Sequence, residues 1–501
     1  MLDIFPYSGE VILVFGILVA LIHLTFLSTK KDYLSLIQYS SQISIYVLVL
    51  VQAFNIYLYT AFPFHSVLPK SAFFNEALIV NNEILIFKII LVFFAIFIIL
   101  FSIHFFIETQ LGYFEYNILL LTSLLGCLIT LSANDLLTLY ISLEITALSF
   151  YILATIRKSA QSTEAGLKYF IIGSFSSAML LFGISVIVVL TGHHNFDEIQ
   201  YALYFNSSFE NYNMGVVFGA FLIFSALLIK LAVAPFHEWV ADIYEGILTP
   251  TALLFATIPK ISLFFVIVRL VQNTFQNLFE YVQIFFAVSC FLSLILGSVS
   301  AMRQQNIKRF LAFSSVNHFG FILIGIVVGT QAGVQSSFVY LFFYMILTFG
   351  LWSILILLSY VKTINSKTSF YQLTRIVELG GLVHQKSGIT FFIFVTLLSM
   401  GGIPPLAGFA AKTSIVFALI EKCQVFATSF SSLPGVGFNL ILMAVFFSSV
   451  LSVFYYIRII KILFFGKLKT NMLQFRLNSF VVVYILGFFC ALNICSFVLF
   501  I

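Results

Sequence analysis

Charged residues are scarce in this chain of 501 residues: they make up 9% of the sequence, while hydrophobic residues make up 61%. An ordinary soluble domain carries roughly 25% charged residues, so a water-soluble fold of this size is excluded. In a bilayer the backbone must satisfy its own hydrogen bonds, which leaves helices or a closed barrel. The apolar runs are about 20 residues long and do not alternate with polar residues, a pattern that predicts transmembrane helices.

Cysteine motifs and nucleotide-binding loops are missing as well. The sequence has no C-x-x-C spacing, no G-x-G-x-x-G and no Walker-type loop, and its five cysteines are Cys127, Cys290, Cys423, Cys490 and Cys495. This pattern argues against a zinc site, an iron–sulfur cluster, a disulfide framework and a bound nucleotide. We therefore expect the chain to bind no cofactor of its own, and to have membrane lipids rather than nucleic acid as partners.

The apolar windows predict an all-α polytopic membrane protein with about 14 transmembrane helices. The predicted spans are 8–28, 41–61, 84–107, 115–132, 134–155, 169–190, 214–236, 249–271, 281–300, 309–328, 336–360, 388–421, 437–464 and 479–500. Acidic rather than basic residues stand at the start of the first apolar segment, and it has no small-residue cleavage site. It is therefore interpreted as a transmembrane span and not as a secretory signal. Phenylalanine occurs 63 times, which A/T-rich coding, as in many organelle genomes, explains.

The basic residues predict the orientation of the chain. Of the 24 Lys and Arg residues, 17 fall in loops that follow odd-numbered spans. Four lie near the opposite face, namely Lys70, Lys88, Arg269 and Lys422. By the positive-inside rule, the loops after odd-numbered spans face the cytoplasm or the matrix, and both termini face the other compartment.

The three remaining basic residues, Lys230, Lys260 and Lys412, lie inside apolar runs, and Glu144 lies at the middle of a span. A charge at the bilayer centre costs at least about 2.5–3.5 kcal/mol, so such residues point to function. Glu144 and Lys230 are the natural pair, because opposite charges favour each other's ionised forms while burial disfavours both. Asp135 opens the helix that carries Glu144 and is interpreted as an N-cap.

Prolines interrupt two predicted spans. Pro235 in LIKLAVAPFHEW and the pair Pro404 and Pro405 in LLSMGGIPPLAGFAAK remove backbone donors, so helices 7 and 12 should break there. Two broken helices five apart indicate an inverted five-helix repeat, as in transporters. The single membrane domain 1–501 then divides into helices 1–3 (1–110), a first repeat of helices 4–8 (115–271), a second repeat of helices 9–13 (281–464) and helix 14 (479–500).

Three lysines and one glutamate beside two helix breaks predict a proton relay. Structural ion pairs between helices are the alternative, which would explain a single buried charge equally well. His318, in RFLAFSSVNHFGFILIGI, is either a relay residue or a histidine that satisfies a neighbour. For His237 a solvated cap is favoured over a proton exit. The loop after the sixth predicted span contains four polar residues, and we favour their exposure to water over metal binding. They are His193, His194, Asp197 and Glu198.

Four segments of the chain resemble the antiporter-like subunits of respiratory complex I, and the resemblance covers spans four to thirteen. The segments are EAGLKYFIIGSFSSAMLLFGIS (164–185), LIKLAVAPFHEWVADIYEGILTPTALLFATIPKISLF (228–264), RFLAFSSVNHFGFILIG (309–325) and LLSMGGIPPLAGFAAK (397–412). Within that superfamily the chain is most similar to the NADH dehydrogenase subunit 2 family. Lys412 stands where the subunit-4 type has Glu, and we expect the chain to be too short for the long C-terminal lateral helix of the subunit-5 type.

The resemblance implies a role for each matching residue: Glu144 as the charge-pair carboxylate, Lys230 as its partner, Lys260 as the central relay lysine and Lys412 as the terminal one. It implies a proton-translocating subunit of NADH:ubiquinone oxidoreductase, with other membrane-arm subunits as partners. NADH, FMN, iron–sulfur clusters and ubiquinone would be bound elsewhere in the complex. The mitochondrial inner membrane is the expected location, with a bacterial plasma membrane as the alternative. A multisubunit sodium/proton antiporter and a non-conducting spacer of the membrane arm remain as alternative functions.

Overall fold

The computed structural model describes residues 5–28, 33–61, 76–109, 111, 113–205, 210–364, 367–428, 433–466, 474–475, 487, 489, 491 and 493. Its α-helices are α1 (Ser8–Ser28), α2 (Tyr33–Ala61), α3 (Asn82–Thr109), α4 (Glu115–Ser132), α5 (Leu136–Thr155), α6 (Ala160–Thr191), α7 (Phe196–Phe205), α8 (Glu210–Leu231), α9 (Glu238–Gly246), α10 (Thr249–Arg269), α11 (Phe279–Arg303), α12 (Ile307–Val328), α13 (Gln331–Leu357), α14 (Leu382–Gln385), α15 (Ser387–Gly401), α16 (Ala407–Thr428) and α17 (Leu433–Phe465).

The chain is a helical, polytopic membrane protein. Among the described residues, 12 helices are long and apolar enough to cross a membrane, and the shorter apolar helix α15 adds to them. The predicted span 115–132 coincides with α4. Helix α6 begins at Ala160 and not at residue 169, because Ser159 and Ser162 form a capping box that starts a polar first turn. The predicted span 479–500 lies almost wholly outside the described residues.

Both predicted helix breaks are confirmed. Helix α8 ends at Leu231, and α9 begins only at Glu238, beyond Pro235. Helix α15 ends at Gly401, and α16 begins at Ala407, beyond Pro404 and Pro405. The second break has an additional cause, because Gly402 adopts a left-handed backbone (φ 83°) at the C-cap of α15. Glycine takes this conformation without the steric cost that other residues meet.

The helices form two compact units. Unit 1 comprises Met1–Leu231 with Gly246–Val282, and unit 2 comprises Ala232–Glu245 with Gln283–Ile501. In unit 1, α10 is the central helix, since it packs against α3, α4, α5 and α8. In unit 2, α12 packs against α13, α16 and α17. The candidate residues Lys260 and His318 lie on these two central helices.

A small antiparallel sheet is a feature that the apolar windows do not predict. Strands β1 (Ser359–Ile364) and β2 (Lys367–Gln372) pair as a hairpin, and β3 (Gln474–Phe475) adds to the other edge of β1. Four of the six residues of the segment SYVKTI are aromatic or β-branched, a composition that favours an extended backbone. The sheet follows α13 in the chain and leaves the helical architecture unchanged.

Candidate functional site

Glu144 lies in α5 and Lys230 in the last turn of α8, both in unit 1. The Glu144 Oε1 and the Lys230 Nζ atoms are buried, and neither has a hydrogen-bond partner among the described residues. Glu144 still interacts electrostatically with Lys230. It interacts in the same way with the hydroxyls of Tyr140 and Tyr151. Both charged groups therefore keep hydrogen-bonding capacity that a water molecule or a proton can use.

Lys260 is 3% exposed and lies in the interior of α10. Pro259 precedes it inside the helix. A proline has no N–H, so the Phe255 carbonyl lacks its usual helical donor at this point. The central helix of unit 1 therefore carries a buried amine directly after a proline that leaves one backbone carbonyl of the helix with spare accepting capacity.

Lys412 is buried in α16, and three elements of unit 2 surround its ammonium. The Nζ atom donates to the Gly401 carbonyl at 2.8 Å and to the Ser452 Oγ at 2.9 Å. It also lies 5.3 Å from the centre of the Phe321 ring, on α12. The Gly401 carbonyl is available because the chain turns at Gly402, where a Cβ atom would lie 2.8 Å from the lysine Cδ. The helix break therefore helps to form the position of the Lys412 ammonium between Gly401, Ser452 and Phe321, which we call the seat of Lys412.

His318 is enclosed by tyrosines in unit 2. Its Nδ1 is 2.8 Å from the Tyr340 hydroxyl, and its Nε2 is 3.0 Å from the Tyr456 hydroxyl. The Tyr344 ring lies 5.3 Å from the imidazole, centre to centre. Both ring nitrogens thus contact hydroxyls that can donate or accept, which is the arrangement a proton shuttle needs and also one that fixes a histidine in place.

Sequence reasoning missed these tyrosines, because the sequence does not distinguish a tyrosine that binds a histidine from one that only packs. Tyr340 and Tyr456 lie on α13 and α17, far from His318 in the chain. Their signal would have been a hydroxyl-bearing ring on an otherwise apolar helix. Sequence reasoning also missed the partner of Lys88, which is 1% exposed and pairs with Glu10.

The structure corrects the prediction for His237. This residue is 7% exposed, its Nδ1 lies 3.3 Å from the Pro235 carbonyl, and its ring faces Phe313 at 6.2 Å. A solvated cap is therefore wrong, because the break turns the imidazole into unit 2. Asp242 and Glu245, which follow it, both form ion pairs with Arg309.

The link between α4 and α5 is a hydrogen-bonded polar cluster. Asp135 caps α5 as predicted, since its side chain accepts from the Leu137 N–H at 2.9 Å. Burial raises the pKa of the Asp135 carboxyl, although that hydrogen bond opposes the shift. The Arg269 guanidinium donates to the carbonyl of Ala133 at 2.9 Å and to the side chain of Asn134 at 3.2 Å. This cluster fixes the start of α5, the helix that carries Glu144.

A family model described as "NADH:quinone oxidoreductase/Mrp antiporter, TM" matches residues 133–438. All five candidate residues lie in that range. NADH-quinone oxidoreductase subunit N 1 of Rhizobium meliloti is 36% identical over 362 residues, which are 72% of this chain and 70% of that protein. NADH-quinone oxidoreductase subunit N of Pelagibacter ubique is 34% identical over 399 residues, which are 79% of each protein.

Two solved structures share the fold. A chain of respiratory complex I from Thermus thermophilus with bound aureothin has a TM-score of 0.73 at 23% identity, with 98% of both chains covered. A chain of the Mrp complex from Dietzia sp. DQ12-45-1b has a TM-score of 0.77 at 18% identity, with 98% of this chain and 94% of that one covered. The resemblance read from the motifs is confirmed: the chain belongs to the NADH:quinone oxidoreductase/Mrp antiporter transmembrane family, with proteins named NADH-quinone oxidoreductase subunit N as its sequence relatives.

Proposed function

We propose that this chain is a proton-translocating, antiporter-like subunit in the membrane arm of a respiratory NADH:quinone oxidoreductase. The observation that carries the proposal is the set of buried cationic side chains in a membrane-spanning fold, Lys230, Lys260 and Lys412, with Glu144 beside the first. Buried charges of this kind are expensive in a bilayer and mark ion or proton pathways. The subunit itself carries out no redox step in this proposal, and quinone reduction elsewhere in the complex drives it.

The residues take separate roles in the proposed relay. Glu144 and Lys230 form the electrostatic trigger: when their interaction weakens, the ammonium loses its stabilising charge and releases a proton. Lys260 receives and passes on protons in unit 1. Lys412 is the terminal proton-transfer lysine in unit 2, and His318 serves that unit as a relay residue. Hydroxyl and carbonyl groups beside these side chains can hold the water molecules that connect them.

The broken helices support this mechanism. Unpaired backbone at membrane depth is tolerated where it lines protein or a water-filled cavity. We propose that α8 with α9, and α15 with α16, are helices 7 and 12 of two inverted repeats, 115–271 and 281–464. The complete chain would then have about 14 spans, with the last one at 479–500.

The partners and the compartment follow from the family. The relatives named above are subunits of NADH-quinone oxidoreductases of bacteria. We propose further antiporter-like subunits as direct neighbours, with NADH, FMN, iron–sulfur clusters and ubiquinone held by other subunits. The membrane is either the mitochondrial inner membrane, which the 63 phenylalanines favour, or a bacterial plasma membrane, which the relatives favour.

The test is Lys230→Ala in the assembled complex. The lysine Nζ has no hydrogen-bond partner among the described residues, so its removal breaks no hydrogen bond there and assembly should persist. We expect proton translocation per NADH oxidised to fall. Lys168→Ala is the matched control, because that lysine is exposed and pairs with Glu164 one turn away. An assembled Lys230→Ala complex that pumps normally would defeat the proposal and favour a non-conducting spacer.

A sodium/proton antiporter is distinguished in the same preparation. Proton movement that requires sodium and continues without quinone reduction would support the antiporter. Proton movement that stops when quinone reduction is inhibited, whatever the sodium concentration, supports the subunit of an oxidoreductase.

A further inference from the structure

The first three helices of unit 1 contain a buried ion pair that the predicted relay does not include. Glu10 lies in the first turn of α1, and Lys88 lies six residues after the start of α3. The lysine Nζ donates directly to the glutamate Oε1, and the two residues are 1% and 9% exposed, respectively. At about 1.5 Å of rise per residue, Lys88 is about 9 Å inside its helix. The pair also lies outside the range 133–438 that the family model matches.

Unpartnered polar atoms lie at the same level. The Lys88 ammonium is 5.6 Å from the centre of the Tyr7 ring, and Tyr7 is 5% exposed. The Tyr7 hydroxyl, the Ser8 Oγ and the Asn55 Nδ2 are all buried without a hydrogen-bond partner among the described residues. Asn55, on α2, approaches α1 beside Glu10, since its Oδ1 lies 2.7 Å from where a Cβ of Gly9 would be.

A structural ion pair explains only part of this arrangement. Glu10 and Lys88 satisfy each other, and a clip between two helices requires nothing more. A clip does not explain the neighbouring Tyr7 hydroxyl, Ser8 Oγ and Asn55 Nδ2. A buried polar group without a partner loses its hydration and gains no hydrogen bond in return. Several such groups around one charged pair are what water requires, since a buried water makes about three hydrogen bonds to otherwise unsatisfied groups. Water beside a buried carboxylate is in turn what proton exchange requires.

We infer that Tyr7, Glu10 and Lys88 form a hydrated proton-binding site on the side of the membrane where α1 and α3 begin. Uptake of one proton from water converts the Glu10 carboxylate to the carboxylic acid while Lys88 stays an ammonium, so the site gains one positive charge. Release to water restores the ion pair. The Tyr7 hydroxyl hydrogen-bonds the water that carries the proton. The inference rests on the proposed function, because it gives the same subunit a second proton site.

Tyr7→Phe tests the inference. The substitution keeps the ring beside Lys88 and removes only a hydroxyl that has no hydrogen-bond partner among the described residues, so a structural clip predicts no change. The proton site predicts a loss of proton translocation per NADH oxidised, at unchanged assembly and unchanged rate of NADH-driven quinone reduction in the presence of uncoupler. Tyr46→Phe is the control, because Tyr46 is 71% exposed on α2.

Exchange of the charges provides a second, independent test. Glu10→Lys combined with Lys88→Glu restores an ion pair but reverses its position. The proton site predicts that the exchanged complex regains its thermal stability without regaining full pumping, whereas a clip predicts recovery of both. Wild-type pumping in Tyr7→Phe, or full recovery in the exchanged complex, overturns the inference. Lys230→Ala in the same preparation separates the two proposals: if it lowers pumping while Tyr7→Phe does not, only the second site is refuted.

Discussion

Gly402→Ala should disturb the seat of Lys412 without touching the lysine itself. Gly402 has a φ of 83°, and an L-residue with a Cβ in this conformation costs about 1–2 kcal/mol. The added Cβ would also lie 2.8 Å from the Lys412 Cδ and 3.2 Å from its Nζ. The lysine would have to move, and its bonds to the Gly401 carbonyl and the Ser452 Oγ would lengthen or break.

The expected size follows from these two effects. A hydrogen bond to a charged group contributes about 1.5–3 kcal/mol, so loss of one bond together with the backbone strain destabilises unit 2 by about 2.5–5 kcal/mol. The apparent Tm of the purified complex should fall, and native gels should show how much complex remains assembled. In the assembled fraction, proton translocation per NADH oxidised should fall as well, because the ammonium no longer occupies its position.

Two variants separate the causes. Gly388→Ala is the matched control in the same helix, since no atom lies within 4 Å of the added Cβ and no positive φ is involved; stability and pumping should persist. Gly402→Asn tolerates the left-handed backbone better than alanine but still brings a Cβ against Lys412, so it should recover the part of the stability lost to backbone strain and should not recover pumping. If Gly402→Ala melts and pumps like the wild type, the described seat of Lys412 is wrong.

Three further predictions concern the surroundings of the candidate residues. His318→Leu should lower the apparent Tm, because it removes the contacts of the imidazole with the hydroxyls of Tyr340 and Tyr456. Adding Tyr340→Phe and Tyr456→Phe to this variant should recover much of the lost stability, since replacing both partners of a hydrogen bond by apolar groups is nearly neutral. Arg269→Lys should lower the Tm and leave the proton-to-electron ratio unchanged, because a lysine cannot reproduce the forked bonds to a carbonyl and a side chain. Asp135→Asn keeps an N-cap of equal rank and removes a carboxyl whose pKa burial raises above 3.8. The stability linked to that protonated carboxyl is present below pH 3.8 and is lost as pH rises through the raised pKa. The Tm advantage of the Asp135→Asn variant over the wild type should therefore grow as the pH rises through the raised pKa and be absent in buffer more acidic than pH 3.8.

Much of the fold could be predicted because lipid imposes simple rules on the sequence. The lengths of the apolar runs placed most helices within a few residues, and the prolines located both breaks. The polar start of α6 and the short helices α7 and α9 were missed, because a capping box or a short amphipathic helix carries little apolar signal. The hairpin of β1 and β2 was missed for the same reason.

The candidate site was predictable only where charge is rare. Lys260 and Lys412 stand out because almost any charge inside an apolar run is informative. Tyr340 and Tyr456 do not, since tyrosines are common in this chain and only tertiary packing brings these two to His318. Lys88 was overlooked because it lies near the start of its helix, where a lysine usually reaches the interface. Its burial depends on Glu10 from another helix, and that pairing is not visible in either segment alone.

In the proposed function, buried lysines of this chain move protons when NADH is oxidised. The most direct measurement uses the complex purified through a tag on this chain and reconstituted in liposomes, with proton translocation and NADH-driven quinone reduction recorded together for the wild type and for Lys260→Met. We expect the tagged chain to bring down an active reductase, and Lys260→Met to lower the number of protons translocated per NADH while the uncoupled reductase rate is retained. An assembled Lys260→Met complex with the wild-type proton-to-electron ratio, or a tagged chain that purifies without NADH:quinone reductase activity, would contradict the proposed function.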